Sequence, residues 1–208
     1  MVFVIVEDKP VACAQAAAII ARGGVIAFRT DTFYGLGADP FNQAGVSAIR
    51  ELKGSEEAKP ILLLVADASD VDRFIAERSA FFDRVCQRYW PGPLTLVEKA
   101  RPELPEELTA GTGTIGIRLP ADADVRDLLR ACGGALTATS ANLSAQPPAS
   151  TAQEVESYFP TGIDLIIDGG AAAVSQPSTV LDLSGEEPRV IREGGIKRRD
   201  LEESLGLA

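Results

Sequence analysis

The chain has 208 residues, 46% apolar and 24% charged, which is enough to bury a core and is unlike the composition of a disordered chain. A net charge of -10 argues against a protein whose main task is to wrap nucleic acid, and the absence of any histidine removes serine-histidine and cysteine-histidine triads, histidine bases and most zinc chemistry. Cys13, Cys86 and Cys132 are scattered without CxxC spacing, no run nears the ~18 apolar residues of a spanning helix, and no signal-peptide pattern opens the chain, so a cytoplasmic single domain over residues 1–208 with no membrane association is expected.

Taken in order, residues 2–6 suit a buried strand and residues 11–22 an alanine-rich helix stopped by Gly23-Gly24. Residues 24–28 form a second strand, which runs into a hydroxyl-rich turn, Arg29-Thr30-Asp31-Thr32-Phe33-Tyr34-Gly35-Leu36-Gly37, whose glycines would let backbone approach a ligand. Asn42 caps a helix over 43–52, and Lys53 and Lys59 lie on the loop before a strand at 61–65. Ser69 or Asp70 is expected to cap a helix to Ala76, and residues 79–89 form another before Trp90-Pro91-Gly92-Pro93. Strands follow at 94–97 and 114–119, with one helical turn between them. A helix at 122–131 precedes a strand at 136–139 that enters Ser140-Ala141-Asn142. The remainder reads as a helix at 151–159, strands at 165–168, 179–183 and 189–192, the last two antiparallel, and a helix from about Lys197. This alternation predicts a single α/β domain on one open, twisted, mixed sheet flanked by helices, with polar loops at the strand ends.

Two motif matches carry little. Gly111-Thr112-Gly113-Thr114-Ile115-Gly116 fits GxGxxG, but it enters a strand where the dinucleotide fingerprint opens a helix. Asp67, Asp70 and Asp72 lack the glycine and terminal glutamate of a calcium loop, and a helix cap accounts for Asp70. The strand ends are more informative. Lys53 after a helix can lie against polyphosphate as a mobile point charge, although a lone surface lysine is usually just solvated. Arg118 ends an apolar strand, where its fork of donors needs a cleft. Ser140 and Asn142 either hold ligand oxygens or make a local turn. With Ser178, Thr179 and Arg192, five loops bring hydroxyls or cations to strand ends, as a concave cationic pocket for an anionic ligand would require.

The combination TDTFYGLGADP, ELKG, KPILLLV, YWPGPLTLV, TIGIRLP, TSANLSAQPP, PSTVLDLS and VIREGG resembles the YrdC-like family of threonylcarbamoyl-AMP synthases over about residues 23–195. The resemblance implies an open α/β fold with a cationic cavity. It also implies a nucleotidyltransferase that joins L-threonine, bicarbonate or carbon dioxide, and ATP into threonylcarbamoyl-AMP and pyrophosphate. Magnesium would enter with ATP, and the product would pass to a transferase that modifies adenosine in transfer RNA. Carried over position by position, Thr32, Tyr34, Arg118 and Ser178 would bind threonine. Lys53, Ser55, Lys59, Thr114, Ser140, Asn142, Pro148 and Arg192 would bind ATP, with Lys53 and Arg118 as the catalytic cations.

The chain departs from the family pattern at several places. Ser55 stands where the clamp usually has arginine, Arg29 stands where a proline usually precedes the TDT turn, and Leu64 stands where some members have histidine. Arg29 or Lys59 is expected to replace the missing cation in part. The longer members' C-terminal domain is expected to be absent. The alternative function is an altered paralogue that binds nucleotide or double-stranded RNA without this synthesis, with weak structured-RNA binding as a further partner.

Overall fold

The computed structural model describes residues 4–7, 10–54, 59–172 and 176–206. The expected α/β alternation is present, but the strands form two mixed sheets where one was expected. The first sheet has the order β1 (Val4–Glu7), β9 (Leu165–Asp168), β2 (Ile26–Arg29), β3 (Tyr34–Gly37), β8 (Thr139–Ser140). The second has the order β11 (Arg189–Arg192), β10 (Thr179–Asp182), β5 (Leu94–Lys99), β6 (Thr114–Arg118), β4 (Leu63–Val65), β7 (Ala135–Thr137). Around them lie α1 (Pro10–Ile20), α2 (Gln43–Lys53), α3 (Phe82–Tyr89), α4 (Glu106–Thr109), α5 (Ala123–Ala131), α6 (Ala152–Tyr158) and α7 (Arg198–Leu205), with a 3-10 helix at Ala68–Arg73.

Helix ends follow local chemistry. Asn42 caps α2 by accepting from the Gly45 N–H at 3.0 Å, and Gly54 closes that helix in the left-handed region at φ 58°. Asp122 caps α5 by accepting from Asp124 N and Val125 N. The expected helix to Ala76 is a shorter 3-10 helix capped by Asp67, with Asp70 inside it accepting from the Asp67 N–H at 3.2 Å.

The first sheet is covered on both faces. Ile26, Phe28, Leu165 and Ile167 join a cluster with Ile19 of α1 and Leu128 of α5, while Ala27 and Ile166, one residue out of step, join the larger core. The second sheet is covered on both faces at β4 and β7, where Leu63 and Val65 join the larger core and Leu64 and Leu136 the other cluster, but β5, β6 and β10 bury one face only. Leu94 and Leu96, Ile115 and Ile117, Leu181 and Val190 enter the core, and the residues between them face a cavity.

The predicted strand at 136–139 is broken in two, and the break joins the sheets. Thr137 pairs with Leu63 in the second sheet, while its N–H donates to Ala38 O at 2.9 Å and its hydroxyl accepts from Ala38 N at 2.8 Å beside the first. Two residues later Thr139 pairs with Leu36. The Gly35-Gly37 segment is likewise strand, not turn. A Cβ on Gly37 would lie 2.7 Å from the Phe28 ring, so that glycine serves packing, whereas Gly35 lines the cavity.

Candidate active site

The free face of the second sheet is the floor of a cavity of about 600 Å³. Period-two alternation delivers Thr95 and Val97 from β5, Thr114, Gly116 and Arg118 from β6, and Val180 and Asp182 from β10 to this one face. β11 slips register against β10 between Val180 and Leu181, so Ile191 and Arg192, which are consecutive, both line the cavity. The walls come from Thr30, Thr32 to Gly35, Ala138 to Ser140, Pro148, and Pro177 with Ser178.

Arg118 is almost wholly buried, and its NH1 is paired with Asp31 Oδ1. Its Nε–H is buried with no partner among the described residues. NH1 is thus engaged while the Nε–H is a buried donor without a partner among the described residues, on a side chain whose planar fork suits carboxylates. Nearby, Arg192 donates from Nε and NH2 to Ser178 O at 3.2 and 2.9 Å, and the Ser178 hydroxyl lies 2.9 Å from that of Thr95. Burial, and after it the charge of Arg118, lowers the pKa of Arg192, as expected for two guanidiniums that share a cavity. Thr179 fixes this corner: its buried hydroxyl donates to Ile196 O at 2.7 Å and accepts from Gly194 N and Ile196 N, each at 2.9 Å.

On the opposite wall the Thr30 hydroxyl donates to Phe33 O at 2.8 Å and lies 3.0 Å from that of Thr32, which stiffens the turn. Tyr34 is fully buried. Its hydroxyl donates to Gly170 O at 2.8 Å, and burial, with the Asp168 carboxylate adding to it, pushes its pKa up to about 12. Tyr34 therefore shapes the wall as a neutral phenol whose proton is already engaged.

A second cavity of about 740 Å³ adjoins the first through shared Pro60, Thr139 and Ser140, and is lined also by Lys53, Lys59, Arg50 and Ser144. Here the structure corrects the picture of Lys53 as a mobile point charge. Its ammonium donates to Ser140 O at 2.7 Å, Asn142 O at 2.6 Å and Asn142 Oδ1 at 3.0 Å, so all three donors are spent on one loop. Burial lowers its pKa to about 8. Asn142 also differs from expectation, because it lines neither cavity. Its amide donates to Leu143 O at 3.0 Å and Gln146 O at 2.6 Å, and its Oδ1 accepts from Ser140 Oγ at 2.6 Å, so it organises the loop from behind.

The family model for Sua5/YciO/YrdC, described as telomere recombination, matches residues 18–194. The chain belongs to this family. It is 34% identical over 191 residues to a threonylcarbamoyl-AMP synthase of Pyrococcus abyssi, a match covering 92% of this chain and 56% of that protein. A threonylcarbamoyl-AMP synthase of Halorhodospira halophila is 36% identical over 174 residues, covering 84% of this chain and 91% of the other. The solved P. abyssi Sua5 complexed with L-threonine superimposes with a TM-score of 0.92 at 31% identity, covering 99% of this chain and 61% of that one. The chain thus spans a little over half the length of the P. abyssi relative.

Of the residues carried over from the Sua5/YciO/YrdC pattern, the first cavity gathers Thr32, Tyr34, Thr114, Arg118, Ser140, Pro148, Ser178 and Arg192. The second gathers Lys53 and Lys59 and shares Ser140. Ser55 lies outside the described residues. Arg29 is not the replacement cation that was expected: it lines neither cavity, and its NH2 pairs with Asp122 Oδ2 at 3.1 Å. Sequence reasoning missed Asp31, Thr95, Asp182 and Arg189. Asp31 sits inside the TDT motif itself, and Thr95, Asp182 and Arg189 lie at cavity-facing positions of alternating strands.

Proposed function

We propose that this chain makes threonylcarbamoyl-AMP, binding L-threonine in the first cavity and ATP across the boundary with the second. The observation that carries this reading is the buried Arg118, whose Nε–H has no partner among the described residues and which lines one cavity together with the hydroxyl residues Thr32, Thr95 and Ser178. A small hydroxy amino acid carboxylate matches that donor set. Threonine's amine would take up carbon dioxide, losing a proton to give the carbamate. A carbamate oxygen then attacks the α-phosphorus of ATP, the bond from that phosphorus to the bridging oxygen breaks, and pyrophosphate leaves.

The second step transfers no proton, so a site without histidine suffices. What it needs is placement of the two reactants and cations against the polyphosphate, which fall to Arg118 and Arg192 in the first cavity and to Lys53 and Lys59 in the second. Magnesium enters with ATP as part of that substrate. Asp182, among the described residues the one carboxylate lining either cavity, already accepts from Ser184 and Arg189, so the described residues do not supply a cage for a metal of the protein's own. The product goes on to a transferase acting on transfer RNA, and both steps are placed in the cytoplasm.

The rival reading, a paralogue that binds nucleotide or double-stranded RNA without synthesis, is favoured by one observation: the donors of Lys53 are spent on its own loop. Pyrophosphate release decides between the two. Release that needs threonine, bicarbonate and ATP together, and that falls in Lys53→Ala, supports synthesis. No threonine-dependent release in the wild type, restored by Ser55→Arg, supports the altered paralogue.

A further inference from the structure

Two segments distant in sequence meet beside the first cavity and are joined by two ion pairs that cross. The β2 side offers Arg29 and then Asp31, and the β6 side offers Arg118 and then Asp122. Arg29 NH2 reaches Asp122 Oδ2 at 3.1 Å, and Arg118 NH1 pairs with Asp31 Oδ1. The second oxygen of Asp31 accepts from the Ala121 N–H at 3.2 Å, so the two pairs share one backbone connection. None of the four side chains is more than 22% exposed, which sets them apart from mobile surface pairs. Gly169 provides the groove for the outer arginine, since a Cβ there would fall 2.7 Å from Arg29 Nε.

We infer that this crossed double ion pair is a positioning device for substrate carboxylate recognition, with Asp31 orienting the Arg118 guanidinium and the Arg29–Asp122 pair fixing the turn that holds Asp31. The inference rests on the proposed threonine site and specifies how that site is held. Arg118 has a like-charged neighbour in Arg192, which would drive it out of line if nothing opposed the repulsion. Asp31 supplies the opposing charge at NH1 and leaves the Nε–H unpaired. Asp31 touches Arg118 and not the substrate, so it is a positioning residue, and Arg29 acts one step further away through Asp122 and Ala121.

The test uses the full chain with Asp31→Asn, Arg29→Met, Asp122→Asn, the double variant Arg29→Met/Asp122→Asn, and Gly169→Ala. Asparagine at 122 keeps a side-chain oxygen to cap α5, and Gly169→Ala displaces Arg29 without changing charge. Asp31→Asn is expected to raise the KM for L-threonine about tenfold or more while the KM for ATP stays within about twofold. Arg29→Met, Asp122→Asn and Gly169→Ala should each raise the threonine KM about threefold, and the double variant should be no worse than its worse parent, as for two residues acting through one contact. An unchanged threonine KM in Asp31→Asn, equal rises for both substrates, or multiplicative effects in the double variant would overturn the inference. A second readout is independent of turnover: the Arg118 Nε–H resonance in a 1H–15N spectrum, assigned by its loss in Arg118→Lys. The inference expects that resonance to be sharp in the wild type and shifted or broadened in both Asp31→Asn and Arg29→Met, even if threonine is not the substrate. An identical resonance in all three proteins overturns it.

Discussion

The two lobes of the cavity are built on opposite plans. In the Arg118 lobe the cation is held by a carboxylate, its Nε–H is unpaired among the described residues, and the surrounding hydroxyls sit on a strand at Thr95 and on hydrogen-bonded segments beside strands at Thr32 and Ser178. In the Lys53 lobe the cation is held by carbonyl oxygens of a loop and has no donor to spare. The difference teaches that a cation near a cavity is not by itself a preformed anion site. On the proposed reading, the first lobe offers a carboxylate a guanidinium already held in place by Asp31. If Lys53 meets phosphate as proposed, the second lobe must exchange loop contacts for phosphate contacts, and its affinity then carries the cost of releasing that loop.

The largest effect expected from breaking this contrast is at Arg118. Arg118→Ala removes the donors of the ordered lobe and leaves the Asp31 carboxylate without its partner, a loss of ~3–5 kcal/mol that should appear in both threonine binding and thermal stability. Calorimetric titration with threonine and a melting curve check it, and Arg118→Lys should recover more of the stability than of the binding. Thr179→Val comes next. It strips three hydrogen bonds from the loop behind Ser178 and Arg192 and leaves Gly194 N, Ile196 N and Ile196 O unpaired, for a loss of roughly 2–4 kcal/mol in denaturant unfolding. A Cβ on Gly194 would lie 2.1 Å from Pro177 O, so this corner has no slack with which to absorb the change.

The Lys53 lobe is probed by pH. Its ammonium form prevails below about 8, so the KM for ATP should be flat up to that pH and rise above it, while Lys53→Arg keeps the profile flat. The linkage to folding has the opposite sense. Between about 8 and the ordinary lysine value the unfolded chain holds more protons than the folded one, so the contribution of Lys53 to stability improves as pH rises through that window. Equal ATP profiles for wild type and Lys53→Arg would show that this lysine does not meet phosphate.

The smallest effect lies outside both lobes. Glu98 faces away from the cavity on β5 and is 3% exposed, and burial raises its pKa even though it accepts from Ser79 N at 3.2 Å. A raised carboxylate pKa favours the fold at acid pH and weakens it as pH climbs through the folded value. Glu98→Gln should therefore flatten that dependence and raise stability near neutrality, with activity unchanged. A loss of stability at neutral pH would refute this account.

Much of this was legible in the sequence, because period-two alternation is a local signal. It marked the strands, and it put Arg118 at the end of one with a side chain in need of a cleft. The division into two sheets was not legible, since nothing in Thr137-Ala138-Thr139 announces a change of partner; the exchange is set by Leu63 on one side and Leu36 on the other. The ion pairs were hidden for the same reason. Arg29 and Asp122 are far apart in sequence, so Arg29 read as a spare cation until its partner came into view. The structure brings Asn142 together with Ser140 and Lys53, but sequence proximity does not say which member of a loop lines a cavity and which holds the others.

The broken strand has a consequence for solubility. β7 and β8 are the terminal strands of their respective sheets, and an outer strand with unpaired backbone groups is a template on which other chains can assemble. Here one continuous stretch finishes both sheets, with three residues in one strand and two in the other, and Ala138 between them donates its N–H to Leu62 O at 2.7 Å. Neither border is long enough to recruit a foreign strand, and the chain bends away before either could lengthen. The same crossing that brings Ser140 to the boundary between the cavities thereby also shortens one edge of each sheet, leaving β1 and β11 as the longer borders.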